Sequence, residues 1–330
     1  MRPSFHPFLV NEPFGDPGLY VDFLFERRAL LFDLGDLHDL PPRKILRASD
    51  IFVSHCHMDH FMGFDWFLRI CLGRERGVRL YGPPGFLDQV AAKLSAYTWN
   101  LVHRYENDFA LSVTELAEDG SARRARFRVR SAFRREAEES LRLEHGVLLD
   151  EPGFRVRATF LDHGTPCLAF ALEEKVHVNI WKNRLAEMGL PVGPWLQGLK
   201  RAALEGSPPD TPIAGPDGRT FALEALMPCL RLTPGLKIAY VTDVVYSAEN
   251  ARRIVDLARD ADWLYIESVF LDEDAERAAE KNHLTAGQAG RLARAAGARN
   301  AVPFHFSPIY REREAELREE LARAAQAVPG

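Results

Sequence analysis

Cysteine is scarce in this chain of 330 residues: Cys56, Cys71, Cys167 and Cys229 are far apart and form no CxxC pair. That argues against a disulfide framework or a thiolate zinc knuckle and fits a reducing compartment, so the expected location is the cytoplasm. Long apolar runs are missing too, since nowhere do ~18 such residues follow one another, the length a helix needs to span a bilayer. The opening Met1-Arg2-Pro3-Ser4-Phe5-His6-Pro7 lacks the apolar core of a secretory leader, and no membrane anchor is expected. Neither sign of charge dominates: 42 Lys and Arg against 47 Asp and Glu leave a net charge of −5 at pH 7. A nucleic-acid partner would therefore need a local basic patch, not a global field. No short-period repeat is present. What remains, 46% hydrophobic and 27% charged residues, is an ordinary globular composition within reach of a single α/β unit with insertions.

One stretch is dense in ligand chemistry. Ser54-His55-Cys56-His57-Met58-Asp59-His60 carries three of the chain's 11 histidines, with an aspartate among them. It follows Ile51-Phe52-Val53, which reads as a buried strand, and precedes Phe61-Met62-Gly63-Phe64-Asp65-Trp66-Phe67-Leu68, which has a helical apolar rhythm. Imidazole and carboxylate crowded at a strand exit point to a divalent metal site. His55 and His57 can project the same way from an extended turn while Asp59 and His60 turn toward a second position, so one strand end could feed two ions. Cys56 should point away from them.

In chain order, residues 19–25 and 29–35 read as two strands joined by a Glu26-Arg27-Arg28 turn. Val78-Arg79-Leu80-Tyr81 is a short strand closed by Gly82-Pro83-Pro84-Gly85, with helix periodicity from there to Tyr97. Residues 103–150 resist assignment. Within them Arg124, Arg126, Arg128 and Arg130 alternate with Ala125, Phe127 and Val129, a half-buried strand whose arginine face either binds phosphate or guards a sheet edge. A strand over 154–161 leads into Asp162-His163-Gly164, and 167–172 resumes extended structure. About 174–235 reads as an excursion rich in glycine and proline. Regular order returns with a strand over 236–243, a helix from near Ser247, and the strand Trp263-Leu264-Tyr265-Ile266 before Glu267. A helix after Thr285, a strand over 301–304 into His305, and a charged helix from Arg311 to about Ala327 close the chain. The last reads as a solvated amphipathic cap.

His163, Asp243, Glu267 and His305 each stand just beyond an apolar strand-like run, as His55 does. In α/β sheets the strand ends bring distant residues into one crevice, so these side chains are expected to line a shared site.

These residues carry a family resemblance. His55-Cys56-His57-Met58-Asp59-His60 matches the HxHxDH signature of the metallo-β-lactamase superfamily. Later stretches resemble its tRNA 3′-processing branch, ribonuclease Z: Asp162-His163, the glycine-proline segment 189–194 with Leu199-Lys200, Thr242-Asp243, Glu267-Ser268-Val269-Phe270, His283-Leu284-Thr285 and His305-Phe306-Ser307-Pro308. The resemblance covers roughly residues 29–310. It departs at the start, where residues 10–17 replace the family's Leu-Gly-Thr type turn and basic loop, and at Ile266 and Ile309, which stand for a histidine and an arginine.

The resemblance implies an α/β fold, the metallo-β-lactamase αββα sandwich, as one domain over residues 1–330 with an inserted arm at about 174–235 and an uncertain insertion at about 103–150. It implies two divalent metal ions, Zn2+ foremost with Mn2+ or Fe2+ open. His55, His57 and His163 would hold one ion, Asp59, His60 and His305 the other, and Asp243 would bridge them. Asp59, Glu267 and His283 would serve catalysis, with His283 and Glu267 aiding the departing oxygen; the other reading of His283 is a cap on the following helix. Asp33 is expected to hydrogen-bond a ligand instead of binding metal. The implied activity is endonucleolytic 3′ processing of precursor tRNA by a metal-bound hydroxide, in a homodimer whose arms serve the opposite sites. Two other readings stand beside it: a metallo-β-lactamase-fold hydrolase of a small phosphodiester or other ester, and a non-enzymatic, metal-stabilised RNA-binding protein. The arm mixes Lys175, Lys182, Arg184, Lys200 and Arg201 with Glu173, Glu174, Glu187 and Glu205, and its Trp181 and Trp195 could stack on bases or pack inside.

Overall fold

The computed structural model describes residues 5–233 and 235–326. The sequence readings on Met1–Ser4 and on the helix end near Ala327 lie outside the described residues.

Two units make up the chain. The larger, residues 5–150, 155–172 and 236–326, contains two β-sheets. The first has eight strands in sequence order, from Phe5–Leu9 to Arg135–Arg142. Its middle strands Ala29–Phe32, Ala48–Phe52, Gly77–Gly82 and Ala110–Leu116 run parallel, and antiparallel pairs flank them. The second sheet has six strands in the order Ala301–Phe304, Trp263–Glu267, Lys237–Val241, Pro166–Glu174, Phe154–Asp162 and Val147–Asp150.

The central strands are apolar on both faces because both faces are covered. Leu31, Ile51, Val53 and Leu80 face the helices Phe64–Cys71 and Phe86–Ser95. The alternate residues Phe32 and Phe52 face the other way and meet Phe170 of the second sheet, each with ring centres 5.7 Å apart. Tyr240 joins them 6.0 Å from Phe32. On the far side of the second sheet, Ala239, Val241, Leu264 and Ile266 pack under the helices Ala248–Ala258, Ala286–Ala296 and Glu314–Gln326. The layers are therefore helix, sheet, sheet, helix, with an aromatic seam in which each buried ring contributes about 1.5–3 kcal/mol.

Three readings change in the structure. The apolar stretch after His60 is not one helix: Met58–Phe61 and Phe64–Cys71 are separate, because Gly63 presses against the loop after Phe32 and a Cβ there would lie 2.0 Å from the Gly35 carbonyl oxygen. The arginine strand Ser121–Arg128 is not an edge; Arg135–Arg142 pairs outside it. Its arginines are held by neighbouring side chains, Arg124 by Glu139 and Thr114, and Arg128 by Asp108. The charged terminal helix is more than a solvated cap, since Leu317 and Leu321 are buried and the Glu320 carboxylate accepts from the Asp272 and Gly287 amides.

The smaller unit, residues 151–154 and 173–235, has its own core of Leu185, Leu196, Leu199, Leu226 and Cys229. It contains the helices Lys182–Glu187 and Leu196–Leu204 and two hairpins, His177–Ile180 with Leu230–Thr233 and Pro212–Ala214 with Thr220–Ala222. Trp181 is exposed with the Arg184 guanidinium 5.3 Å from its ring centre, while Trp195 donates its indole N–H to the Pro191 carbonyl at 2.9 Å.

Candidate metal centre

The strand ends of the larger unit deliver the polar residues singled out in the sequence. His55 follows Ala48–Phe52, His163 follows Phe154–Asp162, Asp243 stands two residues past Lys237–Val241, Glu267 ends its strand, and His305 follows Ala301–Phe304. Asp33, Asp243 and His305 have left-handed backbones, with φ of 60°, 35° and 59°. A side chain in that region costs roughly 1–2 kcal/mol, and such outliers gather where a site dictates the turn.

Two of the histidines are aimed by a partner on one ring nitrogen. The His163 Nδ1 lies 2.8 Å from the Asn282 carbonyl oxygen, which can only accept, so the proton is on Nδ1 and the Nε2 lone pair is free. His60 Nδ1 donates to Asp33 Oδ2 at 2.9 Å, again freeing Nε2. Asp33 is fully buried and is itself held by the Ser54 amide at 2.6 Å and the Tyr240 hydroxyl at 2.9 Å. It therefore orients His60 and belongs to none of the ligand groupings among the described residues.

The free nitrogens converge. The Nε2 atoms of His55, His60 and His163 lie 3.6, 3.3 and 3.4 Å from Asp243 Oδ2, while Asp243 Oδ1 is 2.9 Å from His305 Nδ1. His305 Nε2 in turn lies 3.3 Å from Asp59 Oδ2. Donor atoms of His55, His57, His163 and Asp243 all fall within 4.8 Å of one another, as do those of Asp59, His60 and His305. His55 Nε2, His60 Nε2 and His305 Nδ1 are buried without an aligned hydrogen-bond partner. An unsatisfied buried polar atom costs about 1–3 kcal/mol, and divalent cations at these two positions would satisfy all three. The donor set, five imidazoles and two carboxylates, fits such ions.

Electrostatics without ions point the same way. Burial and the neighbouring His60 depress the His55 imidazole to about 2, keeping it a neutral donor. Burial opposes protonation of His305, yet Asp243 and Asp59 overcome it and push the ring up to about 10. His60 is likewise raised against its burial, by Asp243 and Asp33. Asp59 resists the upward pull of burial and is held at about 2 by His305 and His60. The centre thus draws positive charge to its carboxylates, and protons fill that role when cations do not. Cys56 and Cys167 stay protonated, as burial pushes both thiols up, and the Cys56 side chain packs into the core under the first sheet.

A third grouping joins Asp243, Glu267, His283 and His305. Two of its members are already committed: His283 Nδ1 meets Glu267 Oε2 at 2.7 Å, and Glu267 Oε1 accepts from the Val244 and Leu284 amides. Burial disfavours imidazolium at His283, but the Glu267 carboxylate outweighs it and the net shift is upward. His283 does not cap the following helix; Thr285 does, in a capping box with Gln288. The supporting roles of Tyr240 and of the Asn282 carbonyl are not visible in the sequence, although an Asn directly before His283, here at φ 59°, is the residue type that tolerates such a turn.

Layers and strand-end site together define a metallo-β-lactamase-fold protein. The fold is shared with the metallo-β-lactamase fold protein YhfI of Bacillus subtilis, at a TM-score of 0.55 and 14% identity over 96% of this chain and 91% of that one. It is also shared with the short form of human tRNase Z, at 0.51 and 18% over 93% of each chain. The chain belongs to the ribonuclease Z family: it is 34% identical over 325 residues to a ribonuclease Z of Deinococcus radiodurans, spanning 97% of this chain and 94% of that protein. A ribonuclease Z of Acaryochloris marina is 29% identical over 90% of this chain and 82% of its own length. No family model matches the chain.

Proposed function

We propose that this protein is a metal-dependent endoribonuclease that processes the 3′ end of precursor tRNA. The observation that carries the reading is the set of buried imidazole nitrogens without partners, His55 Nε2, His60 Nε2 and His305 Nδ1, around Asp243 in a ribonuclease Z relative. In this reading His55, His57 and His163 would hold one divalent ion and Asp59, His60 and His305 a second, with Asp243 a donor to the pair; zinc suits these donors. When bound, two such ions supply Lewis acidity to the phosphodiester oxygens and lower the pKa of a water. Asp59, the carboxylate of the centre most open to solvent, is our assignment for taking a proton from the attacking water. As the phosphorus–oxygen bond breaks, His283 gives a proton to the departing oxygen, and Glu267 stabilises the imidazolium that does so. Residues 173–235 act as the substrate-gripping arm, and the working assembly is a homodimer.

Incubating the zinc-loaded protein with a 3′-extended tRNA tests this. We expect one cut near the 3′ end of the mature sequence; an intact RNA at every salt concentration, with the site fully metallated, overturns the assignment. The mixed charge of residues 173–235 supports a second reading, hydrolysis of a small diester. Rapid turnover of a chromogenic phosphodiester beside inert RNA would favour it.

A further inference from the structure

The cleft above the metal ligands has a basic wall to which no role has been given. Arg277 lies in the short helix Ala275–Glu280 and Lys281 is its C-terminal cap, so the two are four residues apart and share a helix face. Both line the same cavity of about 390 Å³ as Asp59, His283 and His305. Both are exposed, and their helix also carries the carboxylates Glu276 and Glu280. Yet among the described residues neither cation is engaged in an ion pair, whereas Arg252, Arg253, Arg313 and Arg318 all pair with glutamates. The Arg277 guanidinium instead lies 5.8 Å from the ring centre of Phe270, a contact that steadies the side chain and leaves its N–H donors unspent. Phe14 lines the cavity as well. Two unspent cations and an aromatic ring beside a phosphodiester-cleaving centre match a nucleotide strand, with phosphates on the cations and a base on the ring.

We infer that Arg277 and Lys281 bind backbone phosphates of the RNA strand next to the scissile one and so position that strand over the metal ligands. The inference rests on the endoribonuclease reading. They act as positioning residues, contributing attraction that is independent of sequence and sensitive to salt.

The test replaces both residues, Arg277→Ala with Lys281→Ala, and measures equilibrium binding of a fluorescent 3′-extended tRNA across a salt series, with steady-state kinetics on the same RNA. Kd and KM should rise about 10-fold while kcat changes by less than about twofold, and the log–log salt slope should flatten by about 1.4, roughly 0.7 per lost cation. The charge-preserving pair Arg277→Lys with Lys281→Arg should recover most of the affinity. An alanine pair with the parent's Kd and salt slope overturns the inference. Melting temperature and bound metal are checked in parallel; should the alanine pair fail to fold, a glutamine pair is read the same way. If the parent protein leaves the 3′-extended tRNA uncut, the endoribonuclease reading falls and the inference falls with it.

Discussion

At His283 one hydrogen bond sets the proposed proton donor apart from the proposed metal ligands. Its Nδ1 is spent on Glu267 at 2.7 Å, and Glu267 is fixed by two backbone amides, so neither group is free to swing onto an ion. Replacing His283 by alanine should leave the metal stoichiometry intact and lower turnover about 10²–10⁴-fold, the usual worth of a positioned general acid. Elemental analysis of the purified variant decides the matter, since a missing metal equivalent would put His283 among the ligands. At this scale the gathering of His55, His163, Asp243 and His305 is legible in the sequence, because each follows an apolar run and strand ends converge. Their orientation is not. Asn282 aims His163 through a backbone carbonyl, which any residue type possesses, and Tyr240 reaches Asp33 across 207 positions.

The short helix Met58–Phe61 is clasped by the loop after Phe32: Leu34 donates its amide to the His60 carbonyl, and Gly63 donates its own to the Leu34 carbonyl. Only a glycine permits that approach at position 63. Gly63→Ala should therefore cost about 1–3 kcal/mol through overpacking and weaken metal retention, because the loop carries Asp33, which orients His60. Gly77→Ala, with nothing within 4 Å of the added carbon, should stay within about 0.5 kcal/mol. Urea unfolding of the two variants checks the contrast, and equal destabilisation would mean that the clasp is not what matters. Apolar periodicity reveals the strands and most helices. It is blind to this break, because Phe61, Phe64, Phe67 and Leu68 keep a helical rhythm on both sides of the clasp. It is equally blind to sheet position: alternation identifies Ser121–Arg128 as a strand, but whether that strand is an edge depends on the partner beyond it, Arg135–Arg142, whose polar sequence carries little strand signal.

For the whole molecule, the metal centre ties stability to pH in a way that depends on occupancy. Without ions, His305 has a folded-state value of about 10, well above the 6.5 of an ordinary imidazole. A base raised on folding adds stability that is complete below 6.5 and is lost as pH climbs toward 10. His55 works in the opposite direction: its folded value of about 2 means that the unfolded chain takes up the proton first, so stability falls as pH drops below 6.5. The two slopes meet near neutrality. The chelated protein should accordingly be most stable around pH 6–7 and lose melting temperature on both sides. With His305 and His60 as metal ligands, ions would replace their protons, so the loaded protein should hold its melting temperature on the alkaline side and fall only in acid, where protons displace the metal. Parallel thermal melts from pH 5 to 10, with and without chelator, measure the difference. Coincident curves above pH 7 would show that the protons on His305 and His60 do not stand in for cations in the folded chain.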